Sequence, residues 1–557
     1  MPFDAAGRID QVAQGSRVDT TAFSGTTGWA TSFTDALGRV TSIDARDAAG
    51  RVLAQTLPGA RVVSMTYDRN GNTTSITPPG QPAHAMDYTA LDLESRYTPP
   101  AVPGASGVVE SVFDFDRMLI ETRRAEGSIV YGYDAFGRRA STVDPLFSAL
   151  FGYNAADQLV SLTGSDGVDL TFVWDGDLLR RTNWSGLVAG TVEKRYDHLL
   201  RLKEQVTMGQ SVQTAYDADD LPVQVGPVAI GRDPANGRVV STTVGGVTET
   251  YTYNAFGELE AQEAKHGGAP LLRRDYARDA LGRITSVTES VLGGAPAITS
   301  YTYDAAGRLD SVTTGASAVT YTYDPNGNRT HVSGVPVATY DAQDRLLTYA
   351  GANYTYTAGG DLRTKTDASG TTTYTYDLQG NLKRVDLPTG DVVEYVVDPQ
   401  SRRVARKLNG AFTHKWLYED QLRPVAELDG AGNLVSLFVY SAPTPGGPRR
   451  HRPRRRHLPG GEGSPRLAAG GRERGHRRRR PAHGLRRLGQ RPPGHEPRLA
   501  ALRLRGRSLR PRHQAHTLRR PRLRRRGRQV AREGPDSVPR RWVQLAWCHG
   551  AGPCECA

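Results

Sequence analysis

Carboxylates recur through this 557-residue chain in one fixed setting. Asp134, Asp304, Asp324 and Asp377 each follow a tyrosine (Tyr133, Tyr303, Tyr323, Tyr376) and stand three residues before a glycine (Gly137, Gly307, Gly327, Gly380). Tyr253-Asn254 with Gly257 is an amide version of the same string. Paired carboxylates are common tools of general acid–base catalysis. A pair such as Asp304 and Asp324, however, recurs because its surroundings recur, which is weak support for an active site. The same residues have a structural use. An aspartate at the first position of a type I turn accepts amide hydrogen bonds inside the turn, and glycine tolerates the positive φ where the chain leaves it. Other chemistry-bearing residues do not converge. His84, His198, His266, His331 and His414 are scattered, and no Gly-x-Ser-x-Gly elbow, phosphate-binding Gly-Lys-Ser/Thr loop or His-Glu-x-x-His pair occurs. No catalytic residue, metal set or cofactor site is assigned, and the expectation is a protein that is not an enzyme.

The elements holding these residues are short and repeated. Tyr301-Thr302-Tyr303 and Tyr321-Thr322-Tyr323 alternate aromatic and Thr, a strand pattern with both rings on one face. In the aspartate copies Arg or Asn follows the glycine, then an alternation such as Leu309-x-x-Val312, the return strand. One repeat is therefore one β-hairpin, recurring about every 16 to 25 residues, the period of a small supersecondary unit. A lone hairpin is marginal in water, so neighbouring units must pair edge to edge and stack their Tyr and Val side chains. The repeated tyrosines are read as structural. Aliphatic and aromatic residues are too sparse for a large solid core, which favours a ribbon coiled into a spiral or hollow wall. The predicted fold class is all-β over residues 1–443.

Charge divides the chain at the same point. Residues 444–557 hold 32 Arg and no Lys against 6 acids, a net of +26, whereas residues 1–443 carry 39 bases and 52 acids, a net of −13. All three cysteines, Cys548, Cys554 and Cys556, lie in the basic part, so the body has neither a disulfide framework nor a Cys-ligated zinc site. No apolar run approaches the roughly 20 residues of a membrane-spanning helix. Met1-Pro2-Phe3-Asp4 lacks the basic start and apolar stretch of a secretory signal.

The repeated Tyr-x-Tyr-Asp-x-x-Gly-Arg string resembles the YD repeats of the Rhs family and of teneurin-like shells, over nearly all of residues 1–443. The resemblance implies a β-ribbon wound into a hollow cocoon that, in bacterial members, encloses a C-terminal toxin until its delivery to a competitor cell. It implies a toxin cargo and a secretion apparatus as partners, and a secreted or cell-surface location for an intact member. An adhesin or carbohydrate-binding module, with glycans as partners and no cargo, is the alternative. Family strings such as DHLGSPR, YDAWG and GARDYDAEVGRW are absent as written.

The tail explains their absence. Residues 444–557 contain no Lys, Asn, Ile, Phe, Tyr or Met, the pattern of a GC-rich gene read out of phase. Shifted by one nucleotide, Gln529–Arg540 permits KWRAKDPIRFR, Gly484–Gln490 permits DYDAWG, and His457–Gly470 permits TYRVVRDHLGSPR. A frameshift near Tyr440 to Gly447 is therefore expected, and with it an incomplete wall and a disordered tail. Arg-rich runs such as Arg477–Arg480 lack the interleaved aromatics of a base-stacking surface, so no specific nucleic-acid partner is expected. His451, His457, His513 and His516 with Cys554 and Cys556 lack a Cys-x2-Cys pair, and no metal is assigned to them.

Overall fold

The computed structural model describes residues 3–104 and 106–440; the Arg-rich segment, with the domain boundary and frameshift expected near it, lies outside the described residues. Among the described residues there are strands and turns and no helix. The alternation read from sequence is the alternation seen. In Ser317–Tyr323, Thr320 and Thr322 are exposed while Val319 and Tyr321 face the covered side. On the exposed face, Thr and Ser hydroxyls pair across strands, as in Thr302 with Ser311 at 2.7 Å and Thr355 with Thr364 at 2.6 Å. Such cross-strand pairs are the unit of sheet stabilisation.

Each strand pairs antiparallel with its chain neighbours except Val335–Pro336 with Ala338–Tyr340, so the described chain is a meander with one interruption. Thirty-two strands from Gln11 to Pro336 form one sheet and eleven from Ala338 to Leu437 form the next. The ladder breaks at Pro336, which has no amide to donate. Contact resumes at once, because the Val337 amide donates to the Thr330 carbonyl at 2.8 Å.

The meander closes on itself. Hydrogen bonds join residues separated by 217 to 263 positions, from Asp166 with Lys383 to Gln81 with Asp344. The ribbon therefore completes a lap and runs alongside its own beginning. Turns alternate between its two edges. One edge carries most of the Asp-x-x-Gly turns; the other carries mainly plain turns such as Gly15-Ser16 and Ala125-Glu126, with the Asp35 and Asp429 turns as exceptions. The plain edge of the first lap abuts the Asp-x-x-Gly edge of the second, starting where the Gly15 turn meets Phe256. The apolar core is largest where the laps run together. Leu162, Leu170, Phe172, Trp184 and Val192 of the first lap cluster with Val396, Val404, Leu417, Val425 and Leu428 of the second. Elsewhere the clusters are small; that of Val63, Ile76 and Met86 lies within one lap, whereas that of Val225, Val228 and Ile230 also receives Val439 of the second. A thin wall with scattered small cores is what a residue supply poor in aliphatics allows.

Candidate functional site: the turn lattice and the seam between laps

The Asp304 turn shows how the repeat is built. The Asp304 amide donates to the Arg308 carbonyl at 2.9 Å and the Gly307 amide to the Asp304 carbonyl at 2.8 Å. This is a type I turn followed by a left-handed residue, the three-residue hairpin loop that ends in a bulge. Gly307 supplies that residue at φ 80°, as Gly137, Gly257, Gly327 and Gly380 do at 74°, 76°, 96° and 82°. Register slips by one residue at the tyrosine before the turn, between Thr302 and Tyr303 as between Gly132 and Tyr133, Thr252 and Tyr253, Thr322 and Tyr323, and Thr375 and Tyr376.

The carboxylate organises the turn, and the residue after glycine does the rest. Asp304 Oδ1 accepts the Arg308 amide at 2.8 Å, and Oδ2 accepts Arg308 Nε at 2.6 Å. Arg308 then reaches into the following hairpin. Its Nη1 donates to the Asp324 carbonyl at 2.7 Å, and its guanidinium lies 4.7 Å from the centre of the Tyr323 ring. The Tyr323 hydroxyl donates back to the Leu309 carbonyl at 2.7 Å. Asp, Arg and the next Tyr thus form a closed circuit across two repeats. It recurs with Asp134, Arg138 and Tyr153, where the guanidinium is 4.6 Å from the ring. Tyr133, Tyr253 and Tyr303 bond the Leu119, Val239 and Ile284 carbonyls at 2.8, 2.7 and 2.6 Å.

Polarity is matched within each turn. Asp324 and Asp377 face Asn328 and Asn381, whose Nδ2 atoms donate to the carboxylates at 2.9 and 2.7 Å. At Asn254 the roles reverse: its Nδ2 donates to Glu258 Oε2 at 3.0 Å. Glu258 keeps its charge for the seam, where Arg17 of the first lap clasps both its oxygens at 2.9 and 2.8 Å. Sequence reading missed the role of the residue after glycine altogether. The signal was present, in an Asp–Arg spacing of four that becomes Asn–Glu at 254–258.

Replacing Tyr323 with Phe removes only the hydroxyl bond to the Leu309 carbonyl. It is expected to cost about 1 kcal/mol, the usual net worth of a neutral hydrogen bond. Faster amide exchange confined to residues 309–323 is the measurement; global exchange or none would contradict the circuit.

The seam changes the electrostatics of turns that are otherwise alike. Asp134 and Asp197 sit on the open edge of the first lap. Burial alone would raise their carboxyls, but amide and guanidinium bonds from Arg138 and Arg201 outweigh it and hold both below the usual aspartate range. Asp344 and Asp377 face the first lap, and there burial wins and raises both. Asp377 is almost fully buried, with Gln379 beside it donating to Asp144 at 3.3 Å. A raised value means the folded chain holds this proton better than the unfolded chain. Its stabilising contribution is complete below the unfolded value of about 3.9 and is lost as pH rises through the folded value. Relative to Asp377→Asn, the native protein should lose stability from about pH 4 towards neutrality, read as diverging urea midpoints. A pH-independent difference would exclude this account.

Polar clamps continue along the seam. Arg124 Nη1 donates to the Leu378 carbonyl at 2.9 Å, Gln343 Nε2 to the Pro100 carbonyl at 2.7 Å, and Asp166 accepts from Lys383 and from the Val397 amide. Asp398 and Arg402 are the most enclosed pair, at 0 % and 5 % exposure. The histidines stay apart: His84 bonds the Tyr97 hydroxyl at 2.6 Å, and His414 stacks on Trp416. Among the described residues no group of three or more His, Cys, Asp or Glu is placed to hold a metal, and no helix is long and apolar enough to cross a membrane.

The Teneurin YD-shell family matches residues 3–441. Teneurin-4 of Mus musculus is 22% identical over 427 residues, covering 68% of this chain and 15% of that protein. The crystal structure of TcdB2-TccC3 superposes with a TM-score of 0.50 at 14% identity, over 78% of this chain and 32% of that one, a likeness of fold. The chain thus spans well under half the length of either relative. A turn circuit repeated along almost the whole described chain, and a match of the same extent, place this chain in the teneurin YD-shell family.

Proposed function

We propose that residues 1–443 are a wall segment of a toxin-enclosing shell of the Rhs type, a container for a C-terminal cargo and not an enzyme. The observation that carries this reading is the edge-to-edge winding of one continuous ribbon, which makes a wall rather than a cleft. Its carboxylates are spent on turns and its Tyr faces on guanidinium groups. In this reading the partners are a toxin polypeptide and an export apparatus, and the intact protein acts outside the cell that makes it. Structural roles follow for the repeat positions: Tyr133, Tyr253, Tyr303, Tyr323 and Tyr376 tie hairpin to hairpin, while the Asp or Asn and Gly after them set the turns.

The test restores the reading frame after Tyr440 and exposes the purified product to a broad protease. A C-terminal segment that co-purifies and resists cleavage while the wall is intact is the expected result. Cleavage as fast as that of the free segment would remove the container reading. Glycan capture by such a product would then favour the adhesin.

A further inference from the structure

Among the described residues there is one complete interface between laps and both halves of a second, unoccupied one. In the first, plain turns of lap one receive the tips of Asp-x-x-Gly turns from lap two. The fit is close. A Cβ built on Gly59 would lie 3.1 Å from the Ala306 methyl, one on Gly80 3.1 Å from Pro325, and one on Gly164 2.8 Å from Pro399. Plain turns of the second lap have no occupant among the described residues: the space beside Gly268, Gly315, Gly334, Gly351 and Gly410 is open to beyond 4 Å. That edge also exposes Leu292 at 72 % and Val335 at 60 %.

The opposite free edge belongs to the first lap and presents turn tips. Phe115 is fully exposed and Phe136 80 % exposed, in successive Asp-x-x-Gly-type turns, with Leu91 half exposed in the turn before. In the second lap the bulkiest tips along the seam are covered, Pro399 being buried and Phe256 and Leu378 partly buried, although Pro325 and Leu422 keep exposed surface. Exposed aromatic tips and vacant glycine seats on opposite edges of one chain are complementary halves of a contact this protein already makes.

We propose that the free plain-turn edge of the second lap seats the free turn tips of the first lap of another copy of this chain. The association is head to tail. Because the two surfaces differ, it does not close on itself at two subunits and can extend the wall copy by copy. It is independent of any cargo.

The test uses the full chain and light scattering coupled to size separation, in about 0.5 M salt to screen contacts of the basic segment. The wild type should show a mass rising with concentration, up to roughly 100 µM, above the 60.5 kDa of one chain. Phe115→Asp with Phe136→Asp removes the tips; Leu292→Asp with Val335→Asp spoils the seat. All four side chains are exposed, so the strand signal in circular dichroism should be unchanged in both double variants. Each variant alone should stay monomeric, and an equimolar mixture should give a dimer and nothing larger, since each supplies one intact edge. A monomeric wild type, a mixture that stays monomeric, or self-association of either double variant would overturn the proposal.

Discussion

Asp398→Ala should be among the most damaging single changes in the wall, costing about 3–5 kcal/mol, the range for stripping one partner from a buried ion pair. Asp398 is wholly enclosed and accepts the Gln400 and Arg402 amides at 3.0 and 3.1 Å and Arg402 Nε at 2.7 Å. Arg402 Nη2 approaches the same carboxylate at 2.6 Å as an ion pair without hydrogen-bond geometry, so no other acceptor is waiting for it. The guanidinium lies between Trp184 of the first lap, at 5.2 Å, and Tyr418 of the second, at 5.5 Å. The alanine variant would therefore bury an uncompensated cation against both laps. Trp184 fluorescence during urea unfolding reads the loss. The same substitution at Asp4, whose Arg8 partner is partly open to solvent, should cost far less. Equal losses at the two positions would mean that the seam adds nothing to the turn.

Leu417→Ala should follow closely, with a loss of about 2–5 kcal/mol from deleted contacts and the cavity left behind. Leu417 is fully buried in the shared core and covers Gly190 of the first lap so tightly that a Cβ there would come within 2.5 Å of it. The damage should be directional. Exchange protection should fall in Gly190–Tyr196 of the first lap as well as in the strand holding Leu417, because one side chain serves both. Loss confined to the mutated strand would contradict a joint core.

Period-two alternation and the Asp-x-x-Gly turn are local, and that is why the all-β hairpin ribbon was legible from residues alone. Val319, Thr320, Tyr321 and Thr322 already say which side of the strand is covered. The function of Arg308 was not legible, since a residue four positions after an aspartate looks like an ordinary ion-pair partner. Only its reach to Tyr323 in the next hairpin shows that it joins repeats. Turns without glycine were also hard to see. Leu200, Asp344 and Ser401 hold φ of 61°, 60° and 59° where other repeats use glycine, at a steric cost the surrounding bonds must offset. The seam was invisible for a different reason. Its partners lie 217 to 263 residues apart, and no pattern within one repeat specifies which distant turn it will meet.

The exchange of Asp for Asn at position 254 matters beyond its own turn, because it works as an index mark for winding. Glu258 offers Arg17 an acid, whereas the neighbouring turns put Arg238 and Arg283 after their glycines. Deleting or duplicating one hairpin between Arg17 and Glu258 would leave every pleat intact and every local turn satisfied. It would also advance the circumference by one step and set Arg17 against another guanidinium. Repeat number in the first lap is thereby counted by charge, and a miscounted ring would repel itself at the point where it should begin to close.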